Sequence, residues 1–368
     1  MVYIEGDYKG FDRWIYNHHI QRILLICGKN VEYHPLFRHM YDLKGTIGTD
    51  VVRFSDFTPN PKYESAVEGV DLFREKGCDS ILAMGGGSTM DLAKCIKLFA
   101  TMDAGRNFLE QRIEGNNIPL MVIPTTAGTG SEVTRYAVLY YNGIKQSITH
   151  EDCIPTSIFM DPSFLETVSP YHRKATFLDA LCHSIESFWS VNSTEESRAY
   201  SKEAIALLLG NKDAYLKNER LGNVNIQRAS QLAGKAINIT QTTAGHAMCY
   251  MLTSLYGLAH GHAAAICVNE LWPYMLDHTA DCRDKRGERF LISTLRELAT
   301  AFECDTPKEA SLKFSLIFSE MDLGKPVCRN RDDIESLVEN VKPERLKNHP
   351  VYLSSHVLGM LYQRILKS

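Results

Sequence analysis

Asp179 and His183 stand four residues apart in a helically patterned segment, Leu178-Asp179-Ala180-Leu181-Cys182-His183. That spacing projects both side chains from one helix face. Farther along come His246 and His260, with His262 beside the latter. One carboxylate with three imidazoles matches the mixed nitrogen and oxygen preference of Fe(II) or Zn(II), not that of Ca²⁺ or Mg²⁺. Spacing alone also fits ordinary hydrogen-bonded side chains and does not choose between the two.

Two turns offer a second kind of chemistry. Met84-Gly85-Gly86-Gly87-Ser88-Thr89-Met90-Asp91 follows a strand pattern and opens a helix pattern through Leu92-Ala93-Lys94-Cys95-Ile96. Glycines let backbone approach a ligand closely, and a helix N-terminus presents free N–H groups that suit a pyrophosphate. A tight strand-to-helix turn needs glycine in any case. The second turn is Pro124-Thr125-Thr126-Ala127-Gly128-Thr129-Gly130-Ser131-Glu132-Val133-Thr134, again just after a strand pattern. Its small and hydroxyl side chains can line a cofactor groove at the carboxyl ends of parallel strands. After the first strand pattern stands Cys27-Gly28-Lys29-Asn30 in place of Gly-x-Gly-x-x-Gly, so a dinucleotide site here departs from the usual arrangement.

The elements that must hold these residues divide into two sets. Compact apolar runs at Arg22-Ile23-Leu24-Leu25-Ile26-Cys27, Val51-Val52-Arg53-Phe54, Ser80-Ile81-Leu82-Ala83-Met84, Pro119 to Pro124 and Ser157-Ile158-Phe159-Met160 predict buried strands. A helix is predicted over 63–76. Strands alternating with helices give a mostly parallel sheet covered on both faces. After Asp161-Pro162 the pattern becomes helical, with starts at Ser169-Pro170 and at Thr194-Glu195-Glu196-Ser197. The expected domains are therefore 1–162, an α/β domain with a mostly parallel sheet, and 163–368, an all-α domain. At 368 residues, 44% hydrophobic and 23% charged, the chain has the composition of a globular protein with room for two cores. Its net charge of −4 is spread along the chain, without the basic block that nucleic-acid binding requires. No apolar run reaches the roughly 20 residues that span a bilayer. The N-terminal residues lack signal-peptide regions. Ten scattered cysteines without a Cys-x-x-Cys pair suit core thiols in a reducing cytoplasm.

Gly-Gly-Gly-Ser-x-x-Asp-x-x-Lys, Pro-Thr-Thr-Ala-Gly-Thr-Gly-Ser-Glu-Val-Thr, Asp-Ala-Leu-x-His-x-x-Glu and a final pair, His246 and His260-Gly261, occur here in that order. Together they resemble the iron-containing, or group III, alcohol dehydrogenase family over about residues 15–275. The resemblance implies an N-terminal dinucleotide-binding domain, a helical C-terminal domain of dehydroquinate synthase-like architecture, and a metal in the cleft between them. Carried over position by position, the metal ligands fall on Asp179, His183, His246 and His260. The phosphate-binding turn falls on Gly86, Gly87 and Ser88, with Asp91 in the same motif. Thr125 and Thr126 fall on cofactor-contacting residues, Thr129 lies in their loop, and Lys145 falls on a lysine near the nicotinamide ribose. A homodimer or larger homo-oligomer is likewise implied.

Two departures from the family pattern matter. Many members carry a histidine four residues after the third ligand, where Tyr250 stands here, so Tyr250 or His262 would have to serve a proton relay. NAD-preferring members carry an Asp after the first strand, where Gly28 stands; with Lys29 beside it, this favours NADPH over NADH. The segments Ser131 to Tyr136 and His246 to Gly257 are similar to phosphonoacetaldehyde reductases, in which case Arg135 is the candidate grip on a phosphonate. His172, Arg173 and Lys174 are further cationic candidates. The alternatives are a butanol or 1,3-propanediol type dehydrogenase and a dehydroquinate synthase-like lyase.

Overall fold

The computed structural model describes residues 2–6, 8–330 and 332–367, which form two units: Met1–Thr126 with Ser131–Val168, and Ala127–Gly130 with Ser169–Ser368. The expected division at residue 162 lies slightly before this boundary, and a four-residue piece of the Pro124 to Thr134 turn goes with the helical unit.

Among the described residues the first unit has eight strands. They are β1 Val2–Glu5, β2 Arg22–Cys27, β3 Asp50–Phe54, β4 Ser80–Gly85, β5 Leu120–Pro124, β6 Tyr136–Tyr141, β7 Ile144–Thr149 and β8 Ser157–Met160. Six of them form a parallel sheet in the order β1-β8-β5-β4-β2-β3. Strand alternation sends Leu24, Ile26, Ile81, Ala83 and Val122 to one face, against Ala66, Val70, Ile96 and Phe99. Ile23, Leu25, Leu82, Met84 and Met121 face the other way, onto Phe11, Trp14, Leu36 and Met40. The covering helices are α1 Tyr8–Asn17, α2 Pro35–Thr46, α3 Tyr63–Glu75 and α4 Gly87–Phe99. Two features fall outside the sequence expectation. β1 is a four-residue edge strand, mostly exposed, and too short to carry a period. The antiparallel β6–β7 hairpin turns at Asn142-Gly143, a pair whose backbone takes the positive φ of a two-residue hairpin loop.

The second unit is helical. Its long members are α5 Pro170–Trp189, α6 Glu195–Leu216, α7 Arg220–Thr240, α8 Ala244–Tyr256 and α9 His260–Asp277. Then follow α10 Glu288–Ala301, α11 Pro307–Glu320, α12 Asp332–Glu339, α13 Pro343–Leu346 and α14 Ser355–Ile365. The predicted starts are present: the Ser169 side chain accepts from the His172 amide ahead of Pro170, and Thr194 forms a capping box with Ser197. All ten cysteines are free thiols. Among the described residues no helix is long and apolar enough to cross a membrane.

His349, fully buried beside Trp189, finds no hydrogen-bond partner for either ring nitrogen among the described residues. Burial drives its pKa from 6.5 down to about 3, so the folded chain holds it neutral. The unfolded chain binds the extra proton between those values, and stability present above pH 6.5 is lost as pH falls toward 3. The cost is about 1.4 kcal/mol per pH unit below the unfolded pKa. His349→Leu is expected to flatten the fall of melting temperature between pH 6.5 and 4.5; an unaltered slope in thermal melts would refute this.

Candidate metal centre and cofactor turn

Three helices of the second unit supply the metal-type donors. Asp179, His183 and Glu186 lie along one face of α5, His246 lies in the first turn of α8, and His260 is the first residue of α9. Glycines let these helices meet. A Cβ on Gly261 would collide with the Ala175 carbonyl and with Asp179, and one on Gly245 with the Glu186 carboxylate.

Asp179, His246 and His260 each offer a donor atom, and these atoms lie within 4.8 Å of one another. The 3.4 Å between His246 Nε2 and Asp179 Oδ1 is the edge of a tetrahedron whose corners sit about 2.1 Å from its centre. His183 stands outside that group of three, yet its ring stacks on His246 with centroids 4.3 Å apart. His260 lies on the other side of His246, at 5.3 Å. A mixed nitrogen and oxygen set of this spacing fits a first-row divalent metal.

Behind the donors lies a second layer that sequence reasoning did not assign. Glu186 Oε1 accepts from His246 Nδ1 at 2.6 Å and from the His246 amide at 3.0 Å. Its Oε2 accepts from the amide and hydroxyl of Thr243, at 2.6 and 2.7 Å. His183 Nδ1 donates to the Gly128 carbonyl at 3.3 Å. The Cys249 thiol donates to the His246 carbonyl at 3.2 Å and leaves its sulfur 3.6 Å from His260 Nδ1. Each of the three rings therefore has an internal partner at Nδ1, which fixes its orientation. The signal for Glu186 was its position in Asp-Ala-Leu-x-His-x-x-Glu; nothing in the sequence pointed to Cys249.

Charges in this layer balance. Burial alone would raise the Asp179 pKa, but the three imidazoles outweigh it and hold the carboxyl well below the ordinary range. Burial likewise pushes His246 down, and Glu186 with Asp179 overcomes it, raising the pKa. His183 has weaker support, and burial takes it down to about 4.

In the first unit, Gly86 caps α4 without a side-chain bond, and a Cβ there would stand 3.0 Å from Thr126 Oγ1. Such a tight, uncapped turn fits a phosphate-bearing ligand. The Thr125 amide donates to the Gly85 carbonyl, and the Ser88 hydroxyl accepts from the Asn60 amide at 3.3 Å. Asp91, expected at the cofactor, is turned inward instead: it accepts from Ser131 Oγ at 2.7 Å and the Val138 amide at 3.1 Å. Its partner Lys94 is fully buried and donates to the carbonyls of Ser131, Thr134 and Tyr136, which ties α4 to the neighbouring segment. A Cβ on Gly28 would meet nothing within 4 Å, and Arg53, which donates to the Gly28 carbonyl at 3.2 Å, is ion-paired with Glu32 at 2.5 Å. Lys145 lies on β7 opposite Tyr140, and Thr129 belongs to the piece grouped with the helical unit.

A family model described as iron-containing alcohol dehydrogenase matches residues 1–162, and that of the Fe-containing alcohol dehydrogenase family C-terminal region matches residues 174–321. The chain belongs to the iron-containing alcohol dehydrogenase family. Among its relatives, long-chain-alcohol dehydrogenase 1 of Geobacillus thermodenitrificans is 30% identical over 270 residues, covering 70% of this chain and 67% of that one. Phosphonoacetaldehyde reductase of Streptomyces viridochromogenes is 30% identical over 299 residues, covering 77% of this chain and 75% of that one. An iron-containing alcohol dehydrogenase from Thermotoga maritima has the same fold, with TM-score 0.83, 25% identity, and coverage of 100% of this chain and 98% of that one. This alcohol dehydrogenase thus has the expected fold, an α/β unit with a parallel sheet followed by a helical unit.

Other expected residues of the alcohol dehydrogenase are placed differently from the sequence expectation. His262 follows His260 by two positions on α9, about 200° around the helix, and points away from the donors. It is buried, with Nδ1 3.1 Å from the Tyr171 hydroxyl, and packs toward Phe318. Tyr250 does lie at the site, its ring stacked on His260 at 5.7 Å. Arg135 is already paired with Glu151 at 2.8 Å and lies over the Tyr136 ring. Arg173 is spent inside the helical unit on Tyr215, Asn218 and Asn223, Lys174 donates to the Met321 carbonyl, and His172 meets Ser169.

Proposed function

We propose that the protein reduces a short aldehyde to its primary alcohol, with phosphonoacetaldehyde giving 2-hydroxyethylphosphonate as the leading substrate. The grouping of Asp179, His246 and His260 donor atoms within 4.8 Å carries the metal-dependent part of this reading. Similarity to a phosphonoacetaldehyde reductase over most of both chains supports the substrate. The overall reaction consumes one aldehyde, one reduced nicotinamide and one proton, and gives one alcohol and one oxidised nicotinamide. A bound Fe(II), or Zn(II), supplies Lewis-acid polarisation of the carbonyl, and a bound nicotinamide supplies the hydride.

The chain's own residues hold these groups. Asp179, His183, His246 and His260 are the proposed metal ligands, and Glu186, the Gly128 carbonyl and Cys249 orient the three rings. Gly86, Gly87 and Ser88 receive the pyrophosphate, with Thr125, Thr126, Thr129 and Lys145 beside the rest of the dinucleotide. Asp91 and Lys94 brace that turn from behind. Gly28 carries no carboxylate to repel a 2′-phosphate, and Lys29 beside it favours one, which supports NADPH. Tyr250 is the proton-donor candidate at the donor group, since its ring stacks on His260. The assembly we propose is a homodimer or larger.

Steady-state assays of phosphonoacetaldehyde and butyraldehyde, each with NADPH and NADH, test the reading. A kcat/KM at least tenfold higher for the charged aldehyde, and higher with NADPH, is expected. Equal values for both aldehydes would reassign the protein to the butanol or propanediol type, and no turnover of any aldehyde would reject it.

A further inference from the structure

The cations expected to meet a charged substrate are engaged elsewhere, but one guanidinium outside the sequence expectation is not. Arg345 lies on the four-residue helix α13, and its guanidinium carbon sits 4.6 Å above the centroid of the Tyr250 ring. It is half-buried and, among the described residues, has no ion pair or side-chain hydrogen bond. A guanidinium stacked on an aromatic face keeps its N–H edge free, and that edge has the geometry to grip an oxyanion.

The position is built rather than incidental. Leu346 and His349 are buried next to Arg345. The Asn348 carbonyl accepts from the Val191 amide, and its side-chain amide donates to Gln241 Oε1 at 2.8 Å. Gln241 leads directly into α8, so Arg345 is tied to the helix that carries His246 and Tyr250. Tyr250 in turn stacks on His260, and the two ring spacings cap the distance from guanidinium to imidazole at about 10 Å. One methylene and one phosphorus between a carbonyl and a terminal oxyanion reach across such a gap once contacts of about 3 Å form at both ends.

We propose that Arg345 is an anion subsite beside the metal donors, which holds the phosphonate end of a short aldehyde while its carbonyl faces His260. This rests on the aldehyde-reductase reading and deepens it by assigning the specificity residue. Tyr250 then serves as the platform that presents the guanidinium.

The test uses the full chain loaded with metal, as wild type, Arg345→Ala and Arg345→Lys. Phosphonoacetaldehyde and propionaldehyde are compared as substrates, and methylphosphonate is titrated as an inhibitor of propionaldehyde reduction. Arg345→Ala is expected to raise KM for phosphonoacetaldehyde about 10- to 100-fold, well beyond its effect on propionaldehyde, and to weaken methylphosphonate by a similar factor. Arg345→Lys recovers part of both. Methylphosphonate that fails to inhibit wild type, or inhibits Arg345→Ala equally, overturns the subsite. A parallel change for both aldehydes overturns it too. Arg345-dependent inhibition without preference for phosphonoacetaldehyde keeps the subsite and removes only the phosphonoacetaldehyde reading. Melting curves of both variants check that they fold.

Discussion

His246→Ala is expected to strip the protein of its metal and to lower kcat for aldehyde reduction by about a thousandfold or more. His246 is the middle ring of the site: Nε2 meets Asp179, Nδ1 meets Glu186, and its faces lie toward His183 and His260. Losing Lewis-acid polarisation of a carbonyl removes several kcal/mol from the transition state, and about 4 kcal/mol corresponds to a thousandfold. The same change leaves Glu186, which is fully buried, without the ring N–H that its Oε1 accepts from. Leaving a buried charged acceptor short of one donor costs about 1–3 kcal/mol, so a lower melting temperature accompanies the loss. Elemental analysis with kcat on the purified variant decides the matter. A variant that keeps one metal per chain contradicts the assignment, whatever its stability.

Glu186→Gln tests the layer behind the ligands. The carboxylate accepts from four donors, two on each oxygen. A glutamine has one carbonyl and one amide, so either Thr243 or His246 must face an N–H group where it needs an acceptor. The His246 ring then loses the bond that holds Nδ1 protonated and Nε2 free. Outer partners of this kind are worth about 10- to 100-fold in metal affinity, which is the loss expected here. Chelator competition measures the Kd directly. An unchanged Kd would reduce Glu186 to a packing group, and intact metal binding with lost activity would place its role elsewhere.

Much of the arrangement was legible because it follows from local rules. The buried runs at Arg22–Cys27 and Ser157–Met160 are strands over the expected residues, since unbroken apolar stretches of that length fit a sheet covered on both faces. Ser169 and Thr194 mark helix starts because hydroxyl side chains satisfy the first free amides. Asp179 and His183 share a helix face for the same geometric reason, but bringing His246 and His260 to them depends on how α5, α8 and α9 pack. No pairwise spacing encodes that packing. The small residues that permit it, Gly245 and Gly261, are each adjacent to a proposed ligand and carry no chemistry of their own.

What was not legible has physical causes too. Asp91 sits in a cofactor motif, yet a half-buried carboxylate beside a buried lysine is satisfied internally. His262 sits two positions from a ligand, which on a helix is nearly the opposite face. Cys249 and Arg345 lie in segments whose patterns say only helix; their roles come from neighbours distant in the chain. Two features did carry a signal in the sequence: the Asn142-Gly143 pair of the hairpin, and Glu186 three residues after His183.

We propose that one divalent metal, held by Asp179, His183, His246 and His260, is required for aldehyde reduction. Removing metal by chelation and adding back Fe(II) or Zn(II) singly, with metal content and kcat measured at each step, tests it most directly. One metal per chain at full occupancy, activity that falls in proportion as metal is removed, and recovery on re-addition are expected. Full activity in protein shown by elemental analysis to be metal-free would contradict it.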